Sequence, residues 1–549
     1  MKKMLTLITV SLLLQQLTAQ TTTSGRIEGL RDAWGTTIDY VGEIKNKQPN
    51  GLGIAIYSNG IALRYSGNFV NGQYSGKGVL LFKDSSFLSG DWKNGKLNGK
   101  GANLSNTGDL YVGYFADGKK DGKGTFMYAD NSLLVGNMQN DTYEGRCIYI
   151  PASGKTISDN IYTAGKKNGS GYQYELDSKT LYEGTWNNGD WVSSSTASYK
   201  SFLKADNFTG EKNDEQILMG LIDKNNNNSM QDTGFFYDLD KQKRYFGYSD
   251  KGLFTDGLII KDSTRFLGKV NDDGAYGPCS FYKLKKFYDE GNYQNDYLTG
   301  DGSLSIDLHK MTTYYGSTAD KGLFSGQAWF TNNYNELYKG NYEDGAFNGS
   351  GYIVFRNGTT VKGTFKDGKT MTVTSFTDGN GAAISQNPKT ISEALSTVIN
   401  EYSNDYEALI GQEADEDDYS FDDYYSADNS IITLPGSVGD NVILEDYDFY
   451  LMYNATMYDG MTYKDAQTKY DELCKSLAGV SLHLKRSTAP VTLSGNIEPA
   501  QESETTRTDF TFNNYSTLKD YHIYAELKYN EDDDKYTVNL VAGDIVFDD

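Results

Sequence analysis

The sequence holds few of the residues from which active sites and disulfide frameworks are built. It has 3 cysteines, 3 histidines, 5 tryptophans and 7 prolines in 549 residues. His309, His483 and His522 show no metal-ligand spacing, which leaves histidine-based catalysis without support. An odd number of cysteines means that at least one thiol is free or pairs with another chain. We therefore predict a protein that is not an enzyme, with no catalytic residue, no cofactor and no metal.

Long apolar stretches are also missing, except at the start of the chain. Lys2 and Lys3 precede the apolar run Met4–Leu14, and Thr18-Ala19-Gln20 matches a signal-peptidase site. Because the run is too short to span a bilayer, residues 1–19 are predicted to be a cleaved signal peptide; a buried N-terminal helix is the alternative. We expect an exported protein, periplasmic, on the cell surface or extracellular, that begins with a polar lead-in over residues 20–38.

Basic residues are scarce only in the last part of the chain. Residues 1–384 contain 41 basic and 41 acidic residues, whereas residues 385–549 contain 10 basic and 33 acidic ones. The C-terminal part therefore carries the entire net charge of −23. A nucleic-acid partner is not expected, since phosphate binding needs a basic surface. Electrostatic choice of a partner should reside in the acidic part.

Glycine and tyrosine are abundant instead, and they recur at a fixed interval of 23 residues. Large residues flank an anchor glycine at alternate positions, which indicates one face of a strand. Asn-Gly or Asp-Gly follows and favours a tight turn, so each unit is predicted to be a β-hairpin. The positions of the pattern are Tyr65, Gly67, Gly76, Gly78, Gly90, Trp92, Gly99, Gly101, Tyr111, Gly113, Gly122, Gly124 and Gly136, and later Tyr338, Gly340, Gly349 and Gly351.

This order of Tyr-x-Gly, a turn glycine and Gly-x-Gly resembles the MORN repeat family. The resemblance covers residues 39–369, about 13.5 units, and is weakest between about 190 and 330. It implies a mainly β fold, an elongated antiparallel β-meander of MORN-type hairpin repeats in a single layer. We predict no helix between residues 40 and 190. The resemblance also implies binding of a protein partner or self-association, and lipid contact has been proposed for the family.

Beyond the array the periodicity changes. Residues 370–388 are predicted to be a linker, and residues 389–549 a separate acidic α+β domain. Apolar residues at helical spacing predict one helix after the capping box of Thr390 and Glu393 and a second between Thr462 and Gly479. Alternation from Tyr447 to Tyr453 and from Tyr521 to Tyr529 predicts strands. The acidic run Glu413–Asp423 is expected to be a solvated loop.

The sequence contains two further candidate sites. Asp223, Asn225, Asn227 and Ser229 place oxygens at the spacing of a calcium loop, but the twelfth position is Gly234 rather than Glu. A polar insertion loop is therefore the preferred interpretation there. Cys147 and Cys279 stand at the second glycine of their units and are predicted to be buried small-residue replacements, and Cys474 to be a core residue.

The resulting hypothesis is an exported, non-enzymatic scaffold that binds a protein partner, or itself, through the repeat sheet. One alternative is a carbohydrate, cell-envelope or lipid-binding module, since aromatic hairpin repeats also serve carbohydrate binders. Clustered tryptophans would favour it, but only Trp34, Trp92, Trp186, Trp191 and Trp329 occur. The second alternative is an enzyme with an unrecognised site in residues 389–549.

Overall fold

The computed structural model describes residues 22–544. The segments within that range that are not described are residues 154, 176–179, 199–215, 223–229, 239–242, 251–252, 255–256, 262–263, 272–273, 284–285, 295–296, 320–321, 403–405, 415–425, 439–440, 446–450, 485–486, 488, 513–520 and 532. The predicted signal peptide and the calcium-loop candidate Asp223–Ser229 lie outside the described residues. The chain divides into two compact units, Met1–Gly345 and Ala346–Asp549.

The first unit opens with a sheet of fifteen antiparallel strands in chain order. They are β1 (Thr23–Arg31), β2 (Thr37–Lys45), β3 (Gln48–Tyr57), β4 (Ala62–Val70), β5 (Gln73–Phe82), β6 (Phe87–Lys93), β7 (Lys96–Leu104), β8 (Leu110–Ala116), β9 (Lys119–Met127), β10 (Leu133–Gln139), β11 (Thr142–Ile150), β12 (Thr156–Thr163), β13 (Lys166–Glu175), β14 (Thr180–Asn187) and β15 (Asp190–Ser198). The predicted meander is confirmed. The described residues between 40 and 190 contain no helix.

The hairpin turns follow from backbone conformations that the sequence allows. Asn71 and Gly72 have φ of 49° and 79°, and Asp117 and Gly118 have φ of 49° and 84°. Two consecutive left-handed residues form the turn whose twist matches that of the flanking strands. The anchor glycines are placed at bulges: the register shifts directly after Gly67.

Two further groups of strands complete the first unit. Four strands form a small sheet: β16 (Gln216–Ile222), β17 (Met230–Asp238), β18 (Lys243–Asp250) and β19 (Leu253–Phe254). Eight more strands pair in chain order: β20 (Gly257–Lys261), β21 (Thr264–Asn271), β22 (Gly274–Lys283), β23 (Phe287–Gln294), β24 (Tyr297–Asp307), β25 (Thr312–Thr318), β26 (Phe324–Thr331) and β27 (Leu337–Glu343).

The array folds back on itself, so the expectation of a single layer is wrong for the first unit. One face of the first sheet packs against β20–β27 through an apolar core. That core contains Val79, Leu81, Phe87, Leu110 and Val112 from the first sheet and Tyr282, Tyr288, Leu304, Ile306 and Leu308 from the later strands. Polar links show that the two layers run in opposite chain directions: Lys339 pairs with Glu43, and Lys100 with Glu290. Each layer thereby removes apolar surface of the other from water.

The second unit begins within the repeat array and continues into the acidic part of the chain. Its repeat strands are β28 (Ala346–Val354), β29 (Thr360–Lys366) and β30 (Lys369–Thr377). A nine-stranded sheet follows, built from β31 (Ile410–Glu413), β32 (Ser426–Ser430), β33 (Asn441–Glu445), β34 (Leu451–Met461), β35 (Ser481–Leu482), β36 (Val491–Ser494), β37 (Thr506–Phe512), β38 (Tyr521–Asn530) and β39 (Lys535–Asp544). Its order is β31-β32-β33-β34-β39-β38-β37-β36-β35.

Two helices of the second unit lie where the apolar spacing placed them. They are α1 (Ile391–Tyr402) and α2 (Tyr463–Leu477), and a short 3₁₀ turn covers Glu407–Leu409. Thr462 caps α2 by accepting a hydrogen bond from the amide of Asp465. Both helices are amphipathic, and the buried face of α2 includes Cys474, the predicted core thiol.

The predicted boundaries in this part are wrong in two places. Residues 370–388 are not a linker throughout, because β30 continues the hairpin pattern to Thr377. The unit that contains residues 389–549 also includes the last repeat strands, since Lys369 of β30 pairs with Asp428 of β32 at 2.6 Å. This ion pair joins the last repeat strand to the sheet of the acidic part.

Candidate functional site

The repeat positions form a continuous row of small residues across the first sheet. Gly67 pairs with Gly53 and Gly78, and Gly113 with Gly101 and Gly124. Where a Cβ at Gly78 would lie, the Tyr65 hydroxyl oxygen is 2.2 Å away. The glycines are therefore required by the close approach of rings that lie flat across them.

A tyrosine closes over this row in several units by the same hydrogen bond. The Tyr65 hydroxyl donates to the carbonyl of Asn68, and the Tyr111 hydroxyl donates to the carbonyl of Tyr114, each at 3.2 Å. Tyr40 bonds Glu43 and Tyr314 bonds Ser317 in the same way, always three residues further on. Burial raises the pKa of these tyrosines, so their hydroxyls stay protonated and donate.

In two units that lack the tyrosine, cysteine takes the second glycine position. Leu134 stands two residues before Gly136, and the paired residue on the next strand is Cys147. Phe266 precedes Gly268, which pairs with Cys279. All three cysteines are buried, as predicted, and none of them forms a disulfide. Burial also raises the pKa of the Cys147 thiol to about 11, which is the state of an unreactive core cysteine.

Between β2 and β8 the face that carries the tyrosines is closed. Tyr65 stacks on Tyr74 with ring centroids 3.7 Å apart, and Trp92 packs edge-on against both rings. The loop before β2 covers this part: Trp34 meets the edge of Tyr74, and Asp32 accepts a hydrogen bond from the Tyr57 hydroxyl at 2.8 Å. The rings of Tyr65, Tyr74 and Trp92 are at most 3% exposed.

From β9 to β15 the same face opens. We call Lys120, Tyr143, Tyr162, Lys167, Trp186 and Trp191 the open aromatic row; each is half-buried. The strand register places them side by side next to the turns, since Tyr162 pairs with Lys167 and Trp186 with Trp191. Ring contacts link neighbours: Tyr143 to Tyr162 at 5.8 Å and Trp186 to Trp191 at 4.5 Å. The row is thus a pair of tyrosines and a pair of tryptophans with Lys167 between them, and solvent reaches all of them.

Both lysines of this row lie on rings. The Lys167 ammonium is 4.3 Å from the centroid of Trp186, and the Lys120 ammonium lies over Tyr111 and Phe126 at 5.6 and 5.4 Å. In the part of the chain that the structure describes, neither ammonium has a carboxylate partner. Burial lowers the pKa of Lys167, because its ammonium has lost part of its water.

Each turn beside the row is hydrogen-bonded to the hairpin that precedes it. The Gly118 amide donates to the carbonyl of Leu97 at 2.8 Å, and the Gly165 and Gly189 amides donate to the carbonyls of Tyr143 and Lys167 at 2.9 Å. Each turn is thus fastened to the preceding hairpin. The row therefore lies on a backbone whose hairpins are mutually fixed.

The opposite face holds a buried arginine between the two layers. Arg64 is 1% exposed, and its guanidinium donates to the carbonyls of Met311 and Asn332. Burial lowers its pKa to about 10, so it remains charged at neutral pH. Its role is to join β4 to the loops of the facing layer.

Asp289 replaces the tyrosine of its unit and provides a pH test of the array. Burial raises the pKa of its carboxyl to about 6, above the ordinary value of 3.8, so the folded state binds the proton more tightly. Stability should then fall as pH rises from about 4 to about 6. Asp289→Asn should therefore be more stable than the parent by about 1–2 kcal/mol at pH 7.5, with the gap closing near pH 4. Urea unfolding at both values measures it; a gap that is unchanged between the two pH values would contradict the assignment.

The second unit contains a groove of about 590 Å³ beside α1. Ser392, Ser396, Asn400, Glu401 and His483 contribute to its wall. The Ser396 hydroxyl accepts from the His483 amide at 3.0 Å and donates to the Ser392 carbonyl at 2.6 Å. These contacts are those of a structural serine. They give no support to the alternative of an enzyme in residues 389–549.

Glu401 is the buried charge of this groove. Its carboxylate accepts hydrogen bonds from Thr359 at 2.7 Å and Asn357 at 3.0 Å, which join α1 to the turn before β29. Glu401→Gln replaces one carboxylate oxygen, which accepts from these donors, by an amide nitrogen that can only donate. The free energy of unfolding in urea should therefore fall by about 1–2 kcal/mol. Glu393→Gln, at the exposed start of α1, is the matched control and should cost less than about 0.5 kcal/mol. Equal losses would mean that the buried contacts contribute nothing specific.

The remaining predicted positions have simple outcomes. The pattern residues lie on the strands and turns of the repeat hairpins, with Tyr338 and Gly340 in β27 and Gly349 and Gly351 in β28. Among the described residues no group of three or more His, Cys, Asp or Glu could hold a metal ion. In the same residues no helix is long and apolar enough to cross a membrane. The open aromatic row was not predicted, although Tyr162 and Trp186 at matching positions of neighbouring units are a signal for it.

Among the comparisons with known proteins, one identifies the repeats. No curated protein matches the chain. Two solved structures that align with it are Hsv2 of Kluyveromyces lactis and a form of that protein with loop 6CD replaced by a Gly-Ser linker. Each is 8% identical over 79% of this chain and 93% of the other, with TM-scores of 0.08 and 0.09, values that carry no argument. The MORN repeat profile matches residues 40–61, 65–87, 89–102, 111–133 and 338–360, and these five segments of the chain are MORN repeats.

Proposed function

We propose that the chain is an exported, non-enzymatic scaffold that binds a protein partner, or a second copy of itself, through the repeat sheet. The observation that supports this best is the open aromatic row. Half-buried tyrosines and tryptophans held on a fixed backbone supply large contact area at small entropic cost on binding. Repeat arrays use such extended surfaces for recognition.

Sedimentation velocity of the full chain over a range of concentrations tests self-association. Affinity capture from envelope fractions followed by cross-linking tests a second protein. The proposal expects cross-links to residues on β9–β15. A chain that stays monomeric and gives no cross-link to the array in any fraction would overturn it.

Export rests on the sequence alone. Lys2, Lys3, the run Met4–Leu14 and the small residue Ala19 support a signal peptide. N-terminal sequencing of the protein from the cell exterior or the periplasm should begin at Gln20. A full-length N-terminus on protein recovered from the cytosol would contradict export.

A carbohydrate ligand is a second candidate because of one contact. Trp186 and Trp191 lie side by side, the clustering that would favour this class. Sedimentation of the full chain with insoluble cell-wall polysaccharide separates the two functions. Binding that is lost in Trp191→Ala, with no protein partner cross-linked to the array, would favour the carbohydrate.

A further inference from the structure

The open aromatic row has a charge pattern as well as an aromatic one. Its two charged members, Lys120 and Lys167, are both cations, and both lie against rings. Three carboxylates on this edge are bonded to backbone amides: that of Asp121 accepts from Asn140 at 3.2 Å, that of Asp141 from Lys120 at 2.9 Å, and that of Glu144 from Ala164 at 2.9 Å. A ligand that fits the row should therefore combine carboxylates with aromatic or apolar side chains.

The spacing of the row limits the form of that ligand. Lys120 lies on β9 and Lys167 on β13, four strand intervals apart, or about 19 Å at 4.8 Å per interval. The whole row, from β9 to β15, measures about 29 Å in the same way. An extended polypeptide advances about 3.3 Å per residue, so roughly nine residues would span the row and six would separate its cations.

One segment of this chain has that composition and that spacing. Residues 415–425 read DEDDYSFDDYY, with 6 acidic residues, 4 aromatic ones and no basic residue. An acidic block at 415–418 and a second at 422–423 have centres six residues apart, with Tyr419 and Phe421 between them. Two cations about 19 Å apart, with rings between them, are the complement of this order.

We propose that the open aromatic row binds residues 415–425 of a second copy of this chain. The two acidic blocks meet Lys120 and Lys167, and the aromatic residues between them pack on Tyr143 and Tyr162. Release of water from the aromatic rings and neutralisation of the lysine charges both favour the complex. This inference rests on the proposed function, of which it names the partner and the surface.

The test uses the full chain and a labelled synthetic peptide of residues 415–425, followed by fluorescence anisotropy. Trp186→Ala, and separately the double variant Lys120→Gln/Lys167→Gln, should each weaken peptide binding at least tenfold. The matched control is Lys93→Gln/Lys96→Gln, two exposed lysines on the turn beside the closed part of the face. It should change binding less than twofold. Thermal unfolding of every variant verifies that the fold is kept.

Peptide chemistry and self-association complete the experiment. A peptide with its acidic residues replaced by amides, and one with Tyr and Phe replaced by Ser, should each bind at least tenfold more weakly. The row variants should also lower self-association of the full chain in sedimentation. Absence of peptide binding, or equal losses in the row and control variants, would overturn the inference.

The same experiment separates this inference from the broader function. If the full chain self-associates, or retains another protein on the array, while row variants change nothing, the proposed function stands and this inference fails. If the full chain neither self-associates nor retains any protein, both fail.

Discussion

Gly113→Val should destabilise the first unit by about 1–3 kcal/mol, the usual cost of overpacking a filled core. A Cβ at residue 113 would lie 2.4 Å from the Tyr111 hydroxyl oxygen and 2.7 Å from the Cα of Gly124. The side chain can escape only if Tyr111 leaves its place over the glycine row. That movement would break its hydrogen bond to the carbonyl of Tyr114. Chemical unfolding measures the loss.

Lys119→Ala is the matched control for this substitution. Lys119 begins the next strand of the same hairpin, and its side chain is exposed. Its removal should cost less than about 0.5 kcal/mol. Equal melting temperatures for the two variants would refute the packing role of the anchor glycine.

A double-mutant cycle should show that tyrosine and glycine at these positions depend on each other. Gly124→Cys brings a Cβ to 2.3 Å from the Tyr111 hydroxyl oxygen, so alone it should cost about 1–3 kcal/mol. Tyr111→Leu removes that clash and recreates the combination of Leu134 and Cys147, which stand at the same two positions one unit later. The double variant should therefore be more stable than the sum of the single effects by at least about 1 kcal/mol.

The control for the cycle is a pair that does not touch. Tyr65 lies in an earlier hairpin than Gly124. The effects of Tyr65→Leu and Gly124→Cys on the free energy of unfolding should therefore be additive within about 0.5 kcal/mol. Coupling of the same size in both cycles would indicate a general loss of structure. Absence of coupling between residues 111 and 124 would remove the steric explanation for the cysteines.

The hairpins could be predicted because their cause is local. A large residue, a glycine and a second large residue at alternate positions, followed by Asn-Gly or Asp-Gly, determine strand, bulge and turn within 23 residues. The helices of the second unit followed from apolar spacing in the same way. Residues such as Gly78 and Trp92 were therefore placed correctly without knowledge of their neighbours.

The folding-back of the array could not be predicted from that pattern. The glycines and tyrosines of the pattern lie on one face of the first sheet, whereas the other face packs against the second layer. A signal was present in the alternate positions: Val79 and Leu81, and Leu110 and Val112, make that second face apolar as well. Strands that are apolar on both faces are covered on both. Which segment supplies the cover depends on pairings of distant residues, such as Lys339 with Glu43.

The open aromatic row depends on distant structure too. Tyr74 of β5 and Tyr143 of β11 stand at the same position of their units, yet the loop that contains Asp32 and Trp34 contacts Tyr57 and Tyr74 near the start of the sheet. Exposure of Tyr162 and Trp186 is therefore a property of the assembled unit. The sequence identifies them as members of the repeat but does not distinguish closed positions from open ones.

The opposite chain directions of the two layers bear on how this protein can change in evolution. An open solenoid can gain or lose one repeat at little cost, because each repeat contacts only its neighbours. Here an extra hairpin in one layer would shift every later strand of that layer by two intervals, about 10 Å, relative to the facing layer. Arg64 would then no longer meet the loops of Met311 and Asn332. Duplication or loss of units within Met1–Gly345 should thus be tolerated only in matched pairs, one from each layer.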